Sequence, residues 1–209
     1  GCSSGVTRQY VGPMSTCAMW DGDVAAGEFD KTTVDLILNK EVEITATLTI
    51  VGRPLLTTIK SAAANRHFQV RGGRLWLKNV KLVGSHTHTG DGGAVNVQDG
   101  GIFRGLHCWL SQTRGHRGGA IIAGKETKVE LTDTNITLSS AFNGGGVYVT
   151  DGANVTLLHA SISSTTANES GGGVYVQNAS LHLSQTTVTR TAAFNGGGVY
   201  VTDGANVTL

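Results

Sequence analysis

From Val147 onward the apolar residues come in short alternating bursts: Val147 and Val149, then Val155 and Leu157, then Ile162. The same order returns as Val174 and Val176, Leu181 and Leu183, then Val188. It also stands earlier as Ile121 and Ala123, Val129 and Leu131, then Ile136 and Leu138. A period of two sends successive side chains to opposite faces of an extended chain, so each burst predicts a short strand with one buried face. The Asp-Gly steps at Asp99-Gly100, Asp151-Gly152 and Asp203-Gly204 are turn chemistry. Val129, Val155, Leu181 and Val207 lie 26 residues apart, as do Ile136, Ile162 and Val188. The chain therefore predicts three short strands in each unit of 26 residues or so.

A second signal runs at the same period. Gly-Gly-small-Val/Ile begins at Gly92, Gly118, Gly144, Gly171 and Gly196, with steps of 26, 26, 27 and 25. The segment Phe142 to Leu157 returns letter for letter from Phe194 to Leu209. A unit this short cannot bury its apolar face alone. It must stack on its neighbours, each strand pairing in parallel with its equivalents one unit before and after. The expected fold is all-β, a parallel β-helix. Phe68 with Val70, Leu75 with Leu77, and Val80 with Leu82 extend the pattern upstream, and Val42 to Gly52 reads as an earlier turn. The solenoid is expected over residues 34–209. Residues 1–33 lack the repeat and are expected to form an N-terminal cap, since an open solenoid end exposes core and unpaired strand edge. Leu209 is an inward residue in mid-turn, so the chain is expected to continue beyond it, or else to abut another subunit.

Gly118-Gly119-Ala120-Ile121 is the GGAI repeat of the polymorphic outer membrane proteins, and Gly92 to Val95 is a close variant. The layout from Thr47 to Val95 also looks like the start of many secreted right-handed β-helix repeat proteins. The similarity covers about residues 35–209. The resemblance implies a right-handed helix and a surface-displayed, adhesive or structural role. It does not by itself imply catalysis, because fold does not decide function.

Composition changes this picture little. The chain has 209 residues, 30 of them Gly and only 2 Pro, with net charge +1. Near-neutrality gives no electrostatic case for nucleic acid. No apolar run approaches the about 18 residues of a membrane-spanning helix. The glycine-rich loops lack the following helix and the Lys of a phosphate loop, so no cofactor is expected. Cys2 and Cys17 fall together in the expected cap and could form one disulfide, suited to an oxidising compartment. Cys108 is read as level with Val80 and Ile136, hence buried.

Several outward positions are candidates for function. Asn96, Ile122, Tyr148, Tyr175 and Tyr200 occupy the middle of the first strand. Tyr148, Tyr175 and Tyr200 are expected to stack on the outside as a ladder, or to serve as a partner or sugar platform. Asn135, Asn154, Asn168, Asn178 and Asn206 each begin an N-glycosylation sequon and are expected to face solvent. The hydroxyl pairs Ser161/Ser163 and Thr187/Thr189, with Asn135/Thr137, suggest an ice-binding face, but His107 and Trp109 are read as breaking that rank upstream. His86, His88 and His116 share one loop region and form a weak metal candidate. The acidic residues are scattered and offer no repeated carboxylate pair. The reading is a non-catalytic extracellular or cell-surface β-helix with structural, adhesive or filament-forming function. Its partner is expected to be another protein or further copies of itself, with glycans as a further candidate. The alternative is a polysaccharide-binding or polysaccharide-cleaving β-helix.

Overall fold

The computed structural model describes residues 36–61, 65–87 and 90–209, and the backbone alone of 19–20 and 27–30. The described chain is a parallel β-solenoid with about three strands per turn and no helix. Its strands form three long sheets of seven, eight and eight strands. One turn shows the plan: Val147–Val149 lies in the first sheet, Asn154–Leu158 in the second and Ser161–Ser163 in the third. Each strand pairs in parallel with the strands one turn before and after, as Val129↔Val155↔Leu181 and Ile136↔Ile162↔Val188 show. A two-stranded sheet, Ser140–Asn143 with Thr166–Ser170, lies on the way back to the first sheet.

The inward residues form columns along the axis. Leu36, Ile59, Leu82, Leu110, Ile136, Ile162 and Val188 make the third-sheet column. Stacked aliphatics of this kind merge into one core cluster running the length of the described solenoid. Each such side chain contributes about 1.5–3 kcal/mol on full burial. Where the columns change residue size, neighbours compensate. Phe103 stands in a column otherwise made of Leu and Val, and two residues on Gly105 replaces the Leu of its own column. A Cβ at Gly105 would meet Leu131 Cδ2 at 2.9 Å.

The Gly-Gly-small motif has two distinct causes. Its first glycine has positive φ in every copy, from 56° at Gly196 to 68° at Gly118. Its second glycine has no room for a side chain: a Cβ at Gly93, Gly119, Gly145 or Gly172 would run into the carbonyl oxygen of the matching glycine one turn later. The third position faces inward against the third sheet, and Ala94 and Ala120 fill it where Gly146 and Gly173 do not. One turn upstream of Ala94 the buried His67 holds that place.

Three sequence-based assignments need correction. Leu138 is not inward: it turns a corner at φ 54° and is 57% exposed. Cys108 is buried and level with Val80 as expected, but it is not level with Ile136. The turn between Val80 and Cys108 is two residues longer than the next, so Leu110, not Cys108, is level with Ile136. The rank of Asn135/Thr137 therefore continues upstream as Trp109/Ser111, not as His107 and Trp109. Residues 1–33 fall mostly outside the described residues. The two short strands described there, Met19–Trp20 and Gly27–Asp30, pair in parallel with the third and second sheets.

Candidate functional site

One outward column of the first sheet runs Glu43, Gln69, Asn96, Ile122, Tyr148, Tyr175, Tyr200. Exact parallel register forces like to sit on like. The Tyr148 and Tyr175 rings stack at 4.6 Å and 5° between planes, and Tyr175 and Tyr200 at 5.2 Å and 26°. The column is outward but not open. Gln69, Asn96, Ile122 and Tyr148 are buried, while Glu43 at one end and Tyr175 and Tyr200 at the other are partly exposed. The returning loop covers the buried part. Arg117 grips Asp91, one turn upstream, through Nε at 3.0 Å and again through Nη2, and its guanidinium lies 5.5 Å from the Tyr148 ring centre. In the following turns the residues level with Arg117 are Asn143, Ser170 and Asn195, which are too short to reach across. Alternation tells which way a side chain points. It does not tell what crosses in front of it.

The electrostatics follow from that cover. The Asp91 hydrogen bond holds Arg117 more firmly protonated than usual, against the cost of its partial burial. Burial raises the Tyr148 phenol, with Arg117 opposing. Burial also raises Tyr175, and its two tyrosine neighbours add to the effect. A donor chain runs off the ladder: Tyr148 donates to Gln177 Oε1 at 3.2 Å, and Gln177 donates to Asp203.

The second sheet bears a feature that sequence reasoning missed. Trp76, Arg104, Glu130, Thr156 and His182 form its outward column. The first four floor a shallow cleft of about 420 Å3, flanked by Lys78, Leu106 and Leu158. Arg104 lies 5.4 Å from the Trp76 ring centre and pairs with Glu130, which Lys128 also holds at 2.7 Å. The Lys128 hydrogen bond, joined by Arg104, keeps the Glu130 carboxyl below its ordinary range. The available signal was the 26-residue spacing of Arg104 and Glu130, which places them level on adjacent turns.

All five sequon asparagines, Asn135, Asn154, Asn168, Asn178 and Asn206, are exposed. Two of the three loop histidines are described. His86 bridges to Arg114 rather than to His116, while the His116 ring stacks on Phe142 at 5.5 Å. His88 lies outside the described residues, as do Cys2 and Cys17. Among the described residues no group of three His, Cys, Asp or Glu side chains could hold a metal ion. Asp133 sits between His107 at 3.2 Å and His159 at 3.7 Å, a carboxylate flanked by two imidazoles at a corner. Cys108 is buried beside the Leu77 carbonyl, and burial pushes its thiol up to about 12, far from a nucleophile's range.

No family model, no curated protein and no solved structure matches this chain. The likeness to the GGAI-repeat proteins therefore rests on the motifs at Gly92 and Gly118 and on the parallel solenoid.

Proposed function

We propose that this chain is a non-catalytic extracellular or surface-displayed β-helix whose role is structural, adhesive or filament-forming. One observation carries the reading: the outward polar groups pair with each other from turn to turn along the axis. Arg104 with Glu130, Arg117 with Asp91, Asn143 with Glu169, and His182 with Thr208 each join adjacent turns. Groups spent on one another stiffen a rod. A hydrolase or lyase instead needs carboxylates converging on one substrate bond. The five exposed sequons support passage through a secretory route. The test is antibody labelling of intact cells against permeabilised cells from the source, with a polysaccharide panel scored for new reducing or unsaturated ends. Labelling of intact cells with no new ends is expected. Labelling only after permeabilisation, or polysaccharide cleavage, would overturn the reading.

A second reading has its own observation. The cleft beneath Trp76 and the partly exposed Tyr175 and Tyr200 offer aromatic rings beside hydrogen-bonding groups, the chemistry that takes a sugar chain. Glycan-array binding that Trp76→Ala or Tyr175→Ala abolishes would favour it. Binding indifferent to both would sink it.

A further inference from the structure

One turn of the solenoid departs from its neighbours at a place where chemistry collects. Its glycine-to-glycine step, Gly144 to Gly171, is 27, and the next, Gly171 to Gly196, is 25. The extra residue enters at the bulge between Ala141↔Ala167 and Asn143↔Ser170. Two residues, Asn168 and Glu169, thus stand opposite the single Phe142, and one turn later opposite Phe194. Glu169 is turned away to accept a hydrogen bond from Asn143 at 3.2 Å. Asn168 is left exposed, and with Arg114, His116, Ser140 and Phe142 it lines a polar cleft of about 250 Å3.

Phenylalanines stand level with this bulge on the turn before and the turn after. Phe142 lies nearly parallel to His116 on the turn before, 13° between planes, so its ring stands across the solenoid axis. Both are accessible: Phe142 is 42% exposed and Phe194 is 88% exposed. Two turns separate the two phenylalanines, about 9–10 Å at the strand spacing of a sheet. A pyranose ring set midway would lie about 5 Å from each, the distance at which C–H bonds meet the negative face of an aromatic ring.

We propose that Asn168 is an N-glycosylation site whose first N-acetylglucosamine is seated in this slot, with its apolar faces against Phe142 and Phe194 and its polar edge toward Arg114 and Ser140. The inference rests on the secretory reading given above and goes beyond it, because it singles out one sequon of five and names what holds the sugar. In the transfer, the Asn168 carboxamide nitrogen bonds to C1 of the sugar and loses a proton. The C1–O bond to a polyisoprenyl pyrophosphate donor breaks, and the pyrophosphate leaves with the electron pair. Ser170, the sequon hydroxyl, is buried and its backbone N–H donates to Asn143 at 3.0 Å. The transfer therefore precedes closure of this turn.

The experiment secretes the full chain from an N-glycosylating host, maps occupancy by glycopeptide mass spectrometry, and times glycan release from the native protein by a peptide N-glycosidase. The Asn168 glycan is expected to release about tenfold more slowly than the Asn154 glycan. Phe142→Ala/Phe194→Ala is expected to abolish that difference, and Phe194→Ala alone to reduce it, with unchanged thermal melting as the check on folding. An occupied Asn168 released as fast as Asn154, or protection indifferent to Phe194→Ala, overturns the seat and leaves the secretory reading standing. Asn168 bare while other sequons carry glycan does the same. All five sequons bare overturns both.

Discussion

Two residues show how differently the same side-chain change acts at different backbone positions. Gly145 faces backbone of the next turn, and the oxygen it would strike, that of Gly172, is held by the Thr165 hydroxyl at 2.7 Å. Gly152 has φ +75° but open space around it. Gly152→Ala is expected to cost about 1–2 kcal/mol, the price of left-handed backbone alone. Gly145→Ala is expected to cost more than about 3 kcal/mol, in the range of severe core disruption. Denaturant melts of the two variants decide it, and equal losses would refute the close-approach account. His67 provides a pH prediction. It is fully buried, and desolvation lowers its pKa to about 4 although the Ile59 and Val83 carbonyls pull it back up. The unfolded ring titrates at the ordinary histidine value of 6.5, so below that pH the unfolded state takes up a proton that the folded state refuses. Stability is therefore complete above pH 6.5 and falls as the pH drops toward 4, by about 3 kcal/mol in all. His67→Leu is expected to flatten that part of the stability-against-pH curve. An unchanged slope between those pH values would show that other groups set it.

At the scale of the element, the outward ladders are sheet properties rather than residue properties. Tyr148 and Tyr175 stack because register places identical strand centres one above the other. A double-mutant cycle of Tyr148→Ala and Tyr175→Ala is expected to give a coupling of about 0.5–1.5 kcal/mol, the worth of an aromatic pair beyond its buried area. The same cycle on Tyr148 and Tyr200, which are not neighbours, is expected to be additive. Coupling of equal size in both cycles would mean that the loop carrying Arg117 is responding, not the stack. The Asp-Gly corners belong to this scale as well. Asp151 and Gly152 take φ of 54° and 75° in succession, which turns the chain sharply from the first sheet into the second.

At the scale of the molecule, the solenoid holds itself through neighbours only, each turn resting on the two that flank it. Ile136 sits in mid-stack, fully enclosed between Leu110 and Ile162. Ile136→Ala is expected to remove about 2–5 kcal/mol locally. It is also expected to split unfolding into two transitions, with hydrogen exchange fastest in the turns nearest residue 136. A single cooperative transition with uniform exchange would show that the stack melts as one unit.

The strands, their three-per-turn order and the period of the stack were legible in the chain, because alternation and a repeat both write themselves directly into residue order. Val129, Val155, Leu181 and Val207 were identifiable as one column without coordinates, and the structure pairs them in register. Legibility failed where turn length changed. Two extra residues between Val80 and Cys108 displaced the expected rank, and one extra residue at Asn168 and Glu169 made a bulge that spacing alone recorded only as a step of 27. It failed again wherever a loop from another turn decides exposure. Tyr148 points outward as its parity requires, yet Arg117 and Asp91 close over it; the Trp76 cleft exists only because distant residues become level. Parity along a strand is a local property of the backbone and needs no fold to be read. What lies in front of a side chain is a distance between segments some 26 residues apart, and only the closed turns bring those segments together.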